Sequence, residues 1–173
     1  MIIRARPKYL KESFFNFNYL SNKVNIGNEL FFNSGRSALK FVLEEYARYR
    51  DKKLVVGVQA FNCVAVAEGV LQSNSQMMLI DIGLEDFSIR LDTIRKISTK
   101  IDVLILTHYQ GIINIEYKKI AEFCKENNIL LIDDLAQTKG SMIKDIEVGM
   151  LSNVSINSFA FDKPIVVMNG EVV

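Results

Sequence analysis

The fold is decided by the stretch Ile129-Leu130-Leu131-Ile132-Asp133-Asp134, in which an unbroken apolar run leads directly into two carboxylates. Such a run is typical of a strand that is covered on both faces by other layers of the protein. Runs of the same kind occupy residues 54–58, 77–81 and 103–107. Together they predict several buried strands of one sheet.

Amphipathic stretches lie between these runs. Residues 37–50, 91–98 and 117–127 repeat apolar side chains at helical spacing and are predicted helices. Strands that alternate with helices predict βαβ units, a largely parallel sheet and right-handed crossovers. The sequence therefore indicates an α/β protein.

Composition narrows the class of protein. The chain has 173 residues, 49% of them hydrophobic and 24% charged, with a mean hydropathy of +0.14, which favours one folded domain over disorder. The net charge of +1 removes the electrostatic case for binding nucleic acid or an acidic membrane. No apolar run reaches the ~18 residues of a membrane-spanning helix, and the N-terminus lacks a signal-peptide pattern. A soluble, cytoplasmic protein is expected.

Scarce residue types limit the chemistry further. The only cysteines are Cys63 and Cys124, and the only histidine is His108. A disulfide framework, a cysteine zinc site and a metal site built on several histidines are therefore not expected, and we predict no metal. His108 follows a predicted strand, where a hydrogen-bonded structural role is commoner than a catalytic one, and both interpretations stay open.

Ligands of parallel sheets bind at the carboxyl ends of the strands. That edge carries Thr107-His108, Asp133-Asp134 and the turn after Ser158-Phe159. A carboxylate at the end of a buried strand is costly unless it meets a cation, a metal or a ring N–H. Because neighbouring strand residues point to opposite faces, at most one of the two aspartates faces the cleft. A helix N-cap or an exposed loop is the alternative interpretation.

The segment Ser34-Gly35-Arg36-Ser37 joins a short apolar run to the first predicted helix. Gly35 permits a tight turn, and the N–H groups of a first helical turn face outward with the positive end of the helix dipole. Arg36 and the Ser37 hydroxyl would add donors, which together suit a phosphate. The alternative is an ordinary N-cap at Ser34 or Ser37.

The pattern changes after residue 154. Residues 155–161 and 165–173 predict a hairpin hinged at Asp162-Lys163-Pro164. Ser158 and Lys163 are an odd number of residues apart, so they can converge on one ligand only if the chain bends near Asp162. A solvated Asp-Lys-Pro turn is the alternative.

In this order the motifs resemble the large domain of the DegT/DnrJ/EryC1/StrS sugar aminotransferases, which belong to the fold-type-I enzymes that use pyridoxal 5'-phosphate. The resemblance extends from about Phe31 to residue 173. The matching segments are Ser34-Gly35-Arg36-Ser37-Ala38-Leu39, Val58-Gln59-Ala60-Phe61-Asn62-Cys63, Met78-Leu79-Ile80-Asp81-Ile82, Thr107-His108-Tyr109-Gln110-Gly111, Leu131-Ile132-Asp133-Asp134-Leu135-Ala136-Gln137-Thr138-Lys139-Gly140 and residues 158–163. It implies a three-layer αβα fold around a mostly parallel central sheet.

The resemblance also implies roles for the site residues. Lys163 would form the Schiff base with the cofactor aldehyde and later carry the proton between substrate and cofactor. Asp134 would pair with the pyridinium nitrogen, and Gln137 would hold the side of the ring that carries the 3-oxygen. Cys63 stands where the family commonly has an aromatic residue that stacks on the ring.

The cofactor phosphate would be bound by the turn at Gly35, by Arg36 and Ser37, and by Ser158. The implied reaction moves an amino group from glutamate to a nucleotide-linked keto-sugar, in surface polysaccharide or deoxyamino-sugar biosynthesis. The family acts as a homodimer with its sites at the subunit interface. No nucleic acid and no membrane is expected as a partner.

Several features depart from the family. Gln59 stands where proline is usual, and one glycine, Gly170, follows the lysine where a pair is usual. Family members are also much longer, so we expect an N-terminal arm at 1–30, a cofactor-binding large domain at 31–173 and no small C-terminal domain.

A remnant that binds the cofactor or a partner without turnover is therefore the alternative function. A Rossmann-like nucleotide-binding module is disfavoured because no GxGxxG follows the first strand, and Lys163 argues against the family's sugar-dehydrating branch, which has histidine there.

Overall fold

A computed structural model of the chain describes residues 2–5, 29–138 and 140–158. The described strands form a seven-stranded sheet and a small two-stranded one. In chain order they are β1 (Ile2–Ala5), β2 (Glu29–Phe31), β3 (Val55–Gln59), β4 (Gln76–Ile80), β5 (Val103–Thr107), β6 (Leu130–Asp134), β7 (Met142–Ile143), β8 (Ile146–Glu147) and β9 (Val154–Asn157).

The large sheet has the strand order β2-β1-β9-β6-β5-β3-β4. Strands β9, β6, β5, β3 and β4 run parallel to one another, whereas β1 is antiparallel to both β9 and β2. The parallel strands bring their carboxyl ends to one edge of the sheet. In the register of β5 and β6, Thr107 lies opposite Asp134 at that edge.

Within the described residues, four α-helices connect the strands: α1 (Gly35–Arg50), α2 (Val64–Gln72), α3 (Leu91–Ile97) and α4 (Tyr117–Glu126). Helix α1 begins after the N-cap Ser34 and ends at Asp51, which adopts the left-handed conformation of a helix C-cap. Helix α2 packs closely on α1 because Gly69 has no side chain: a Cβ there would lie 3.0 Å from Leu39 Cδ2 and 3.3 Å from the Arg36 carbonyl oxygen.

The two faces of the sheet are covered by different helices. On one face α1 and α2 pack on alternate strand residues, among them Val58, Ile105 and Ile132. On the other face α3 and α4 pack on the intervening residues, among them Leu104 and Leu131. The predicted three-layer αβα fold with a mostly parallel central sheet is confirmed.

The sequence-based boundaries agree closely with these elements. Each of the four predicted strands overlaps its observed counterpart, and the three predicted helices correspond to α1, α3 and α4. Helix α2 was not predicted. Strand β1 lies within the arm expected at residues 1–30 and pairs with β9, but the division at residue 30 stays a prediction. The second strand of the expected hairpin and its hinge lie outside the described residues.

Candidate active site

A cavity of about 270 Å³ opens at the carboxyl edge of the sheet, on the face covered by α1 and α2. This size is near the ~300 Å³ at which pockets for small ligands begin. The walls come from the start of α1, the β3–α2 connection, the ends of β5 and β6 and the residue after β9. Predicted site residues that line it are Gly35, Arg36, Cys63, Asp134, Gln137 and Ser158.

The start of α1 forms one wall. The Ser34 hydroxyl accepts a hydrogen bond from the Ser37 backbone N–H at 3.2 Å, and the two hydroxyl oxygens are 2.9 Å apart. Ser34 is therefore the N-cap that the alternative interpretation expected. Ser37 does not line the cavity, but its hydroxyl lies directly behind that wall, and the helix start still presents its positive dipole end to the cavity.

The guanidinium group of Arg36 is engaged by a neighbouring helix. Its Nε lies 2.6 Å from Glu68 Oε2 of α2, and both side chains are about two-fifths exposed, at 44% and 41%. An ion pair this exposed is worth about 0–1 kcal/mol. An anion in the cavity could therefore draw Arg36 away from Glu68 at small cost, and the backbone amide of Arg36 belongs to the helix start in either case.

The Asp134 carboxylate lies on another wall of the cavity. Its Oδ2 accepts a hydrogen bond from the Thr107 hydroxyl at 3.3 Å, and its Oδ1 accepts one from the Ala136 backbone N–H at 3.1 Å. Each oxygen thus has its own donor, so the plane of the carboxylate is fixed. These two donors orient the Asp134 carboxylate at the wall of the cavity.

Two polar residues that sequence reasoning missed, Asn62 and Gln59, contact Thr107, the donor to Asp134. Asn62 donates from Nδ2 to the Thr107 Oγ1 at 2.9 Å, and the buried Gln59 accepts from the Thr107 backbone N–H at 3.3 Å. These contacts join residues about 45 positions apart and depend on the β3–β5 register, which a sequence does not state. The only signal in the sequence was Thr107 at a strand end.

Gln137 reaches the cavity from the turn after β6. Its Oε1 accepts the backbone N–H of Gln110, a residue whose φ of 50° lies in the left-handed region. Because the oxygen of the amide is used in this way, Nε2 is the end of Gln137 that can donate to a ligand.

Asp133 lies on the other side of β6, as strand alternation requires. It is completely buried, accepts a hydrogen bond from the Tyr117 hydroxyl, and its Oδ1 is 3.8 Å from His108 Nε2. Burial, with the nearby Asp133 charge, raises the pKa of Tyr117.

His108 is also completely buried, and its Nδ1 accepts the Asn114 backbone N–H at 3.2 Å. Of the two interpretations of His108, the structural one fits this position.

Cys63 is exposed, precedes α2 and lines the cavity. Nearby, Phe61, Phe87 and Tyr109 form an aromatic cluster with ring centroids 5.1 to 5.8 Å apart, and Tyr109 also lines the cavity. Sequence reasoning did not single out this cluster. It gives the rim of the cavity an apolar side.

Lys163 lies outside the described residues. The described part of the chain contains no group of three or more histidine, cysteine, aspartate or glutamate side chains placed to hold a metal ion. Among its helices, none is long and apolar enough to span a membrane.

Comparison with known proteins gives consistent relatives. UDP-4-amino-4,6-dideoxy-N-acetyl-beta-L-altrosamine transaminase of Campylobacter jejuni is 27% identical over 158 residues, which cover 89% of this chain and 41% of that protein. Helicobacter pylori PseC, an aminotransferase involved in the biosynthesis of pseudoaminic acid, matches with a TM-score of 0.71 at 22% identity, over 86% of this chain and 40% of its own. NtdA from Bacillus subtilis, solved with bound cofactor PMP, matches with a TM-score of 0.70 at 22% identity, over 95% and 36%.

The length of the match and the family profile decide what these similarities show. The chain spans about two-fifths of the length of the relatives named here. A sequence profile of the DegT/DnrJ/EryC1/StrS aminotransferase family, however, matches residues 18–173, which is most of the chain. The resemblance seen in the sequence is thereby confirmed, and the chain belongs to the DegT/DnrJ/EryC1/StrS aminotransferase family.

Proposed function

We propose that this chain is the cofactor-binding part of a pyridoxal-phosphate-dependent aminotransferase that moves an amino group from glutamate to a nucleotide-linked keto-sugar. One observation carries the proposal: the Asp134 carboxylate and the start of α1 lie on the walls of one small cavity. A ligand that satisfies both must present a cationic or N–H group at one end and an anion at the other.

Pyridoxal phosphate fits that description. When bound, it supplies an electron sink that stabilises negative charge at the carbon next to the transferred nitrogen. Its ring nitrogen carries a proton that Asp134 can hold, and a carboxylate fixed on both oxygens is suited to this task. Its phosphate suits a helix start that carries no acidic residue in its first turn.

The remaining residues take roles that their chemistry allows. Gln137 donates from Nε2 to the 3-oxygen of the ring, because its Oε1 is held by Gln110. Ser158 and the Arg36–Ser37 backbone bind the phosphate, and Cys63 packs against the ring. Lys163 would hold the cofactor at its aldehyde carbon, with loss of water, and would carry the proton in the reaction. A lysine attacks a carbonyl only when it is deprotonated, and a neighbouring cationic ring favours that form.

The substrate class rests on the relatives. The Campylobacter jejuni relative is named as a transaminase of a UDP-linked amino sugar, and we extend a nucleotide-linked keto-sugar to this chain on that basis. Glutamate as the donor and a homodimer as the working assembly are proposed from family membership.

Addition of pyridoxal phosphate to the purified chain tests the proposal. We expect a visible imine band that is lost in Lys163→Ala and kept in Lys118→Ala, which removes an exposed lysine of α4. No band in the unaltered chain, or a band that survives Lys163→Ala, would contradict the proposed site.

Turnover and assembly are measured separately. Loss of the imine band on addition of glutamate, restored by a nucleotide-linked keto-sugar, would support an aminotransferase, while a stable band unaffected by glutamate would support the cofactor-binding remnant. Gel filtration at several protein concentrations reports whether the chain forms a dimer.

A further inference from the structure

We propose that Thr107 is a positioning residue for Asp134, and that Asn62 sets the direction in which the Thr107 hydroxyl donates. The inference rests on the proposed function, in which Asp134 holds the ring nitrogen of the cofactor. It adds two residues to the site, both of which line the cavity and to which the proposed function gives no role.

The direction of the hydrogen bonds follows from one backbone amide. The Cys63 N–H can only donate, and it donates to Asn62 Oδ1 at 2.7 Å. The other end of the Asn62 amide, Nδ2, must then be the group that faces Thr107, and it donates to Oγ1 at 2.9 Å.

Thr107 has one hydroxyl proton, and the position facing Asn62 is already occupied by a donated hydrogen. The proton is therefore directed to Asp134 Oδ2, 3.3 Å away. A chain of hydrogen bonds in one direction, from Cys63 through Asn62 and Thr107 to Asp134, follows. Hydrogen bonds in such a chain polarise and strengthen one another.

The surroundings hold Thr107 still. Thr107 is the last residue of β5 and is only 6% exposed. Gln59, completely buried, accepts from the Thr107 backbone N–H at 3.3 Å and donates from Nε2 to the Phe87 carbonyl at 3.4 Å. Backbone and hydroxyl of Thr107 are thus fixed by different partners, which is what a positioning residue requires.

Removal of the hydroxyl has a defined consequence. In Thr107→Val the shape of the side chain is kept, but Asp134 Oδ2 loses its donor and Asn62 Nδ2 loses its acceptor. The Ala136 N–H still donates to Oδ1, but valine has no hydroxyl to donate to Oδ2, so the carboxylate is oriented less firmly toward the ring nitrogen. Thr107→Ser restores the hydroxyl and serves as the matched control.

The first test uses the ligand-free chain. The ¹³C signal of the Asp134 carboxyl is followed against pH by NMR. We expect the pH midpoint of the Asp134 titration to rise in Thr107→Val, because a donor to the charged form is lost. In Thr107→Ser the midpoint should return toward the original value. An identical midpoint in all three proteins would overturn the inference, and this result does not depend on whether the chain binds pyridoxal phosphate.

The second test uses pyridoxal phosphate labelled with ¹⁵N at the ring nitrogen. We expect Thr107→Val to weaken its binding roughly ten- to a hundredfold, the scale of one lost hydrogen bond to a charged group, and to shift the ¹⁵N signal toward the unprotonated ring. Thr107→Ser should restore both. Normal binding and an unchanged ¹⁵N signal in Thr107→Val would contradict the inference, whereas no binding by the unaltered chain would contradict the proposed function instead.

A second variant tests the direction of the chain. Asn62→Asp keeps the acceptor for the Cys63 N–H but replaces the donor to Thr107 by an acceptor, which would draw the Thr107 proton away from Asp134. The midpoint of the Asp134 titration should then rise. The same change made in Thr107→Val, which has no hydroxyl proton to redirect, measures the direct effect of the new charge and should give a smaller rise. An equal rise in both backgrounds would show an effect of charge alone and would overturn the role of Asn62.

Discussion

Asp133 and Asp134 are neighbours in β6, yet their carboxylates serve opposite faces of the sheet. Asp133 is completely buried beside Tyr117 under α4, and Asp134 is held by Thr107 at the cavity under α1 and α2. One carboxylate therefore belongs to the packing of the molecule and the other to its site. Substitutions on the two faces should separate stability from ligand binding.

Removal of the Tyr117 hydroxyl should destabilise the fold. It donates to the buried Asp133 and accepts the backbone N–H groups of Gly149 at 3.0 Å and Leu151 at 3.3 Å. Tyr117→Phe leaves these groups without that partner, and we expect a loss of about 2–4 kcal/mol in the free energy of unfolding, measured with urea. Tyr49→Phe, on an exposed ring, should change it by less than about 0.5 kcal/mol. Equal effects of the two changes would contradict this role for Tyr117.

The two cysteines should differ in reactivity. Burial, with a contribution from the Asp133 charge, raises the pKa of Cys124 to about 12, whereas Cys63 is exposed. At pH 8 only about 1 in 10⁴ Cys124 thiols would be ionised. A thiol reagent should therefore label Cys63 alone in the folded chain and both cysteines in urea.

Cys63→Ser provides the control for that assignment, since the folded variant should take up almost no reagent. Pyridoxal phosphate should slow the labelling of Cys63, because this thiol lines the proposed site. Fast labelling of Cys124 in the folded chain would contradict its buried position.

Gly149 should tolerate no side chain. Its φ is +100°, and a Cβ would lie 2.7 Å from Leu135 Cδ1 and 3.2 Å from Ser155 Cβ. Gly149→Ala should cost about 2–4 kcal/mol of unfolding free energy from strain and overpacking. Gly140→Ala has a similar φ of +79° and no atom within 4 Å, so it should cost about 1 kcal/mol, from strain alone. The difference between the unfolding free energies of the two variants, measured with urea, gives the cost of the steric clash.

The ion pair of Asp86 and Arg90 should give a pH-dependent contribution to stability. A hydrogen bond from Arg90, 2.8 Å long, lowers the pKa of Asp86 below its ordinary 3.8. The contribution is therefore present above pH 3.8 and lost as the pH falls through the lowered value. Asp86→Asn should destabilise the chain by about 0.5–1 kcal/mol at pH 7, and the gap should close at lower pH.

Asp92→Asn is the matched control for that prediction. Asp92 is 84% exposed and lies 3.3 Å from Arg95, so its replacement should have little effect at any pH. A gap between Asp86→Asn and the unaltered chain that widens in acid would contradict the assigned pair.

Much of this architecture can be predicted from the sequence, because its signals are local. The apolar runs at 54–58 and 103–107 predict β3 and β5. Because apolar and polar residues do not alternate in these runs, they also predict that helices cover both faces of the sheet. Helix α2 escapes such reasoning: its residues Val64–Gln72 are mostly apolar and include a glycine, so no helical face stands out.

The site is harder to predict, since it depends on which strands lie side by side and on which neighbours the side chains reach. The sequence placed Asp134 and the turn at Gly35 at the right edge, because strand ends and helix starts have local signatures. It could not pair Asn62 with Thr107, which meet only because β3 lies beside β5. Nor could it show that the Arg36 guanidinium meets Glu68 of the next helix.

The position of β1 has a consequence for how the molecule is made. Residues 2–5 leave the ribosome well before residues 154–157, yet their strand β1 pairs with those residues in β9. More than 140 residues must therefore be synthesised before this partner exists. Of the two strands that pair with β1 in the described sheet, β2 is the one already available, and the two alone form an isolated ribbon of marginal stability. Completion of the sheet is thus a late event that joins distant parts of the chain, the kind of step that slows folding.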